Sequence, residues 1–266
     1  MRNLQAGYGL DSNGFIVSDV GLDKIANSYL PCIRETVENL QKLFPRQLHS
    51  IYVYGSVARG EAVARKSDLD ILAMFDGDLS PGEIAALKHL SIILSQKYVF
   101  LVREVGIAVG NCDYAFAPEN YYEQAFLKEL CVCVHGDDIR GRFGPYKLIM
   151  EIAISFNGDI LEAFTRTITR LEQASNEEFN STTQSFARKL IRTYYSMLMQ
   201  RSQIWTTRLH EQSEVIIHYF HDKESIVRTL QQWIEEPPPN RNTVLDLFKR
   251  EGKWASDNFV VEACIS

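Results

Sequence analysis

The chain has 266 residues, enough for one large domain or two of ordinary size, and 45% of them are hydrophobic and 11% aromatic, the make-up of a folded protein. Its net charge of −6 argues against a sequence-independent grip on nucleic acid, which needs a strongly basic surface. No apolar run reaches membrane-spanning length and no secretory pattern opens the chain, so a cytoplasmic protein with neither membrane nor nucleic-acid partners is expected.

Residues 1–18 have weak periodicity and several Gly, Asn and Ser, and read as an irregular arm. Helical spacing follows over 22–43 through Ile25, Tyr29, Ile33, Val37, Leu40 and Leu43. Pro31 interrupts it, so this helix either kinks or begins there, and Pro45 ends it. A strand is predicted over 51–54 and a second over 67–75, joined by a turn bearing Gly55, Ser56 and Gly60. After a turn over 76–81, a helix over 81–96 starts with Pro81 in its first turn. The spacing then gives a strand over 99–109, an ambiguous stretch over 111–118, a helix over 119–130 and a short strand over 131–134. Gly144-Pro145 is a natural breaker, dividing the chain into 1–144 and 145–266. Beyond it every periodic stretch is helical: 146–173, then a polar connector over 176–185, then 186–202, 211–235 in one or two pieces, and 244–259 after the stiff Pro237-Pro238-Pro239 break.

The chemistry concentrates in the run IYVYGSVARGEAVARKSDLDILAMF, residues 51–75. Strand side chains alternate faces, so Asp68 and Asp70 project from one side. Two adjacent carboxylates repel unless a cation lies between them. Mg²⁺ takes oxygen ligands and fills its shell with water and phosphate oxygens. The Gly55-Ser56 turn offers backbone N–H groups for a phosphate. An ordinary polar turn ahead of a strand explains either submotif alone; the two together at this spacing favour the chemical reading.

Gly55-Ser56, Arg59-Gly60 and Ser67-Asp68-Leu69-Asp70 resemble the signature of the DNA-polymerase-β-like nucleotidyltransferase superfamily. Chain length and a helical second half are most similar to the aminoglycoside enzymes of the streptomycin/spectinomycin type. The resemblance implies an α/β nucleotidyltransferase domain, a small mixed sheet with helices, followed by an all-α bundle. It implies transfer of a nucleoside monophosphate, AMP from Mg-ATP, to a hydroxyl of a small acceptor such as an aminoglycoside-like antibiotic, held at the seam between the halves. Asp68 and Asp70 would hold Mg²⁺. Gly55 and Ser56, with Arg59, Lys66 and Ser67 nearby, would meet the nucleotide. Two alternatives stand: modification of a protein hydroxyl, as in antitoxin-like relatives, and a degenerate relative that binds nucleotide without turnover.

A third carboxylate is needed to share the metal or take the acceptor's proton. Glu104 and Asp113 compete. Glu104 alternates with the apolar Val105, Ile107 and Val109, shares a face with Gly106 and Ala108, and lies in a run resembling the strand that carries the general base of the streptomycin type, so it is favoured. Asp113, in CDYAFAP, resembles the pattern of other members. In the second half, Arg192 in RTYYS, with Arg188 one turn before it and Arg201 beyond, is similar to the helix that reaches ATP phosphates. Glu211, Glu214, Trp205 and Trp233 could line an acceptor pocket, although core packing is the better prior for the tryptophans. His218 and His221 lack a third partner for a metal. The five cysteines, Cys32, Cys112, Cys131, Cys133 and Cys264, are odd in number and scattered, and read as small buried hydrophobes rather than a disulfide or zinc set.

Overall fold

The computed structural model describes residues 4–265. It divides into two compact units, one from Ser18 to Gly144, the other the segment ending at Val17 together with the chain from Pro145 onward. No described helix is long and apolar enough to cross a membrane.

The first unit is built on a four-stranded mixed sheet: β1 (Leu48–Tyr54), β2 (Leu69–Phe75), β3 (Val105–Asn111) and β4 (Cys131–Gly136), in the order β3-β2-β1-β4. β1 runs antiparallel to β2 and β4, while β2 and β3 are parallel. The alternation of β2 is what burial requires: Leu69, Ile71 and Ala73 are buried while Asp70 and Leu72 are not. Beneath that face lie Leu40 of α1 (Leu30–Leu43) and Leu87 and Leu94 of α3 (Pro81–Lys97). Phe44 meets Phe75 edge-on, with ring centroids 5.0 Å apart. α1 begins at the proline, its approach made of short 3₁₀ turns at Leu22–Lys24 and Asn27–Tyr29. α3 opens with a reciprocal cap: the Glu83 N–H donates to Ser80 Oγ at 3.3 Å, and the Ser80 N–H to Glu83 Oε2 at 2.7 Å.

Several boundaries depart from the sequence expectation. The strand expected over 99–109 starts only at Val105. Before it the backbone is turned, with the Leu101 and Val102 N–H groups both on the Tyr98 carbonyl, and Val99 and Phe100 are exposed despite being apolar. The ambiguous stretch is a short helix, α4 (Cys112–Phe116), capped by Asn111. The helix expected over 119–130 is a 3₁₀ segment, Pro118–Gln124, running into α5 (Ala125–Leu130).

The second unit is helical: α6 (Met150–Asn157), α7 (Ile160–Gln173), α8 (Asn176–Ser202), α9 (Leu209–Tyr219), α10 (Glu224–Glu235) and α11 (Arg241–Ala263). The single helix expected over 146–173 is two, broken at Gly158. The polar connector expected over 176–185 is the first third of α8. Ser175 caps that helix by accepting from the Glu178 N–H, and the buried Thr183 returns its hydroxyl to the Phe179 carbonyl at 2.8 Å. Thr183 thus enters a buried helix face with its hydroxyl satisfied by the backbone. α8 is the hub, packing on α6, α7, α9, α10 and α11. The N-terminal arm joins this unit: Leu10 bridges Ile16, Phe15 bridges Lys147, and the Trp205 N–H donates to the Tyr8 carbonyl.

Candidate active site

β1 ends at Tyr54 and turns directly into the short helix α2 (Gly55–Arg59). Gly55 takes a φ of +73°, and a Cβ built there would lie 2.3 Å from Asp70 Oδ2. The glycine is therefore required twice, once for the left-handed turn and once for the close approach of a carboxylate. Asp70 pairs with Tyr54 on one side and with Gly106 on the other, where a Cβ would stand 3.8 Å from Asp70 Oδ1. Gly55, just past the end of β1, and Gly106, on β3, flank the Asp70 carboxylate. The first-turn N–H groups of α2 have no partner within the helix and face the direction from which an anion is held.

Asp68 precedes β2 rather than opening it. Its neighbour is set by a series of backbone bonds: the Arg103 N–H to the Ser67 carbonyl at 3.0 Å and the Leu69 N–H to the Glu104 carbonyl at 2.9 Å. With Asp70 registered on Gly106, Asp68 falls beside Glu104, and the two-residue alternation puts Asp68, Asp70, Glu104 and Gly106 on one face. Glu104 is exposed and Asp68 and Asp70 are half-buried.

The cation demanded by this arrangement is supplied by a residue that sequence reasoning passed over. Arg103 grips Asp68 with both arms of its guanidinium, Nε donating to Oδ1 at 2.9 Å and Nη2 to Oδ2. Those hydrogen bonds hold the guanidinium above its ordinary value against partial desolvation, and the charges of Asp68, Glu104 and Asp70 all add in the same direction. Three carboxylates thus bear on one positive group, itself half exposed. The signal was present: an arginine directly before the favoured glutamate, beside two aspartates that need a counter-charge. Tyr54 feels the same field. Burial, then the charges of Asp70, Cys131 and Asp68, push its phenol well up, so it remains a neutral hydroxyl.

Other predicted residues fall differently. Ser67 spends its hydroxyl on its own loop, accepting from the Val63 N–H at 2.9 Å. Arg59 is paired with Glu61 at 3.0 Å, and Lys66 is solvated. Asp113 is not brought to this set. It lies in α4, past the far end of β3 from Glu104, and seven strand residues at ~3.3 Å each put the two ends over 20 Å apart. Asp113 lines a separate cavity with Asp78, Asn111, Tyr114 and Glu123. In the helical unit Arg192 is exposed on α8, and its carbonyl accepts from Asn157 Nδ2. Arg201 is committed to Glu262 at 3.0 Å and stacks over Phe220. Trp205 and Trp233 are buried in the core. Glu211 and Glu214 do line a cavity of about 910 Å³ with Arg208, His210 and His218. Both carboxylates already have protein partners, Glu211 in Tyr8 and Thr206, Glu214 in Arg228 at 2.9 Å.

Comparison with known proteins points to the same stretch of chain. Residues 33–108, from α1 through most of β3, match the nucleotidyltransferase domain model, a span that contains Gly55, Ser56, Asp68, Asp70 and Glu104. No curated protein matches the sequence. Among solved structures the fold is similar to that of spectinomycin adenyltransferase AAD(9) from Enterococcus faecialis, crystallised with ATP and spectinomycin. The likeness has a TM-score of 0.53 at 13% identity and covers 84% of this chain and 99% of that one. Residues 33–108 thus match a nucleotidyltransferase domain, in a chain whose fold is similar to that of a spectinomycin adenyltransferase.

Proposed function

We propose that the protein transfers AMP from ATP to a hydroxyl of a small, polar acceptor of the aminoglycoside kind, with Mg²⁺ as its metal. What supports this is the pair Asp68 and Asp70, with Arg103 hydrogen-bonded to Asp68 and Glu104 registered beside it, next to the glycine turn at Gly55. An all-oxygen donor set at a half-exposed sheet end fits Mg²⁺, which retains water and substrate ligands beside one or two carboxylates. When bound, the ion neutralises phosphate charge and orients the triphosphate.

The chain's own groups supply the rest. The α2 turn at Gly55 and Ser56 holds the phosphates beyond the scissile bond. Glu104 accepts the proton of the acceptor hydroxyl as its oxygen bonds to the α-phosphorus, and the bond to the β-phosphate oxygen breaks to release pyrophosphate. Asp68 and Asp70 would hold the ion, and Arg103 beside them would meet the charge of the departing phosphates. The spectinomycin enzyme's fold, and the ATP and spectinomycin bound there, support the choice of nucleotide and acceptor class.

The test is pyrophosphate release from ATP with Mg²⁺ over a panel of aminoglycosides and aminocyclitols, with Asp70→Asn alongside. Turnover with at least one acceptor, reduced ~10²-fold or more in Asp70→Asn, is expected, since a metal ligand secures several kcal/mol of the barrier reduction. Metal-dependent ATP binding with label passing only to a protein would instead establish the antitoxin-like reading. Absence of metal-dependent ATP binding would reduce the domain to a structural relative.

A further inference from the structure

At the opposite end of the sheet from the carboxylates, three different donor types meet. One ring nitrogen of His49, one carboxylate oxygen of Asp76 and the Sγ of Cys112 lie within 4.8 Å of one another. They come from adjacent strands: His49 from the start of β1, Asp76 from the residue after β2, and Cys112 from the residue after β3. The sheet is irregular at this point. Leu48 pairs with Phe75 and Ser50 with Met74, so His49 is an extra residue on β1 with no partner on β2. A bulge of this kind re-aims a side chain that regular pairing would have sent elsewhere.

Two of the three residues are also held from behind. His49 Nδ1 lies 2.9 Å from Ser50 Oγ, whose hydroxyl continues to Tyr52. The Asp76 N–H donates to the Gln47 carbonyl at 2.9 Å. Such supports fix the rotation of ligand side chains at metal centres. Cys112 is buried, His49 half-buried and Asp76 exposed, so the cluster has a closed side and an open one.

We propose that His49, Asp76 and Cys112 form a second cation site, for a borderline-soft divalent ion such as Zn²⁺, distinct from the nucleotide site. Imidazole, thiolate and carboxylate are the zinc donor set, whereas Mg²⁺ takes oxygen alone. Donors on a tetrahedral ion stand roughly 3.5 Å apart, so the cluster closes by a small movement, available to the exposed Asp76. Water takes the fourth position on the open side. Binding displaces the Cys112 thiol proton to solvent as the sulfur–metal bond forms, with no change of oxidation state. The ion would tie the ends of β1, β2 and β3 together and anchor α4 to the sheet.

The full chain with its thiols reduced, titrated with Co²⁺, reads this directly. One equivalent is expected to give a thiolate-to-cobalt charge-transfer band with the visible bands of a tetrahedral ion, displaced by Zn²⁺ and indifferent to excess Mg²⁺. Cys112→Ser should lose the charge-transfer band, His49→Gln should weaken binding at least about tenfold, and Asp70→Asn should leave both unchanged. The absence of a charge-transfer band in the wild type, or its survival in Cys112→Ser, overturns the site. If Cys112→Ser does not fold, unaltered Co²⁺ affinity in His49→Gln does the same.

Discussion

Replacing Gly55 by Ala separates the two demands placed on that position. The new Cβ would stand 2.3 Å from Asp70 Oδ2, where a carbon–oxygen contact relaxes only at ~3.4 Å, so the carboxylate must retreat by about 1 Å. A displacement of that size in a group that positions a reacting centre can cost about 10²-fold in rate. The backbone adds its own strain, because an L-residue in the left-handed region costs roughly 1–2 kcal/mol, offset by the smaller unfolded-state entropy of alanine, about 0.4–1 kcal/mol. Gly77 provides the control. Its φ is +82°, against +73° for Gly55, and a Cβ there meets nothing within 4 Å. Gly77→Ala should therefore lose about 1 kcal/mol of stability and keep its activity. Gly55→Ala should lose about 2–3 kcal/mol, the excess being local overpacking, together with the ~10²-fold fall in kcat/KM. Urea unfolding and steady-state pyrophosphate release on both variants give the four numbers. Equal kcat/KM in the two, with both folded, would show that the nearness of Gly55 to Asp70 has no catalytic consequence.

Arg103→Ala removes a half-exposed ion pair, so stability should change by less than ~1 kcal/mol; Mn²⁺ affinity without nucleotide, followed by electron paramagnetic resonance, should rise several-fold because a competing cation is gone. Burial pushes the Glu129 carboxyl up to about 7, with Lys128 and Arg140 only partly opposing it. A folded-state value above the unfolded one means that the folded form binds the extra proton, so this contribution is complete below the ordinary carboxylate range and is lost as pH rises through 7. Glu129→Gln should accordingly raise the urea midpoint at about pH 8 and leave it nearly unchanged at about pH 4. In the helical unit Lys223 and Glu251 form a buried pair at 2.8 Å, joined by the Tyr194 hydroxyl. Lys223→Met leaves Glu251 with the Tyr194 hydroxyl and the more exposed Arg250, 2.8 Å away, and should cost about 1.5–3 kcal/mol in the same assay.

What could be read from the sequence was whatever is encoded locally. Gly55-Ser56 after an apolar strand and Asp-x-Asp ahead of another identify their elements by alternation and turn chemistry, and β2 buries Leu69, Ile71 and Ala73 as that pattern requires. The helical second half was equally plain, because its period runs over many residues. The failures sit where tertiary context overrides local signal. Val99 and Phe100 look like strand but are exposed, since the turn at Tyr98 delays β3 until its pairing with Leu69 begins. The first third of α8 looks like a linker because its hydroxyl residues disguise a buried face, which becomes legible only when Phe179, Thr182 and Thr183 are seen packed.

The two cation-binding features show why sites are harder to read than elements. Asp68 and Asp70 could be placed on one face from spacing alone, and the mutual repulsion of two carboxylates already required a positive partner. Which residue fills that role depends on the register of β3 against β2, since the Leu69–Glu104 backbone bond brings Arg103 to Asp68, and register between strands far apart in the chain leaves no local trace. The same holds more strongly for His49, Asp76 and Cys112. Each reads as unremarkable alone, a strand-edge histidine, a turn aspartate and a buried thiol, and they meet only because a bulge adds one residue to β1. Deleting that extra residue would make the pairing of Leu48 and Ser50 with Phe75 and Met74 regular and leave Ile51 and Val53 on their partners in β2. The bulge therefore fixes the position of His49 without setting the burial of Ile51 and Val53, and a chain that kept the core alternation without it would lose the cluster.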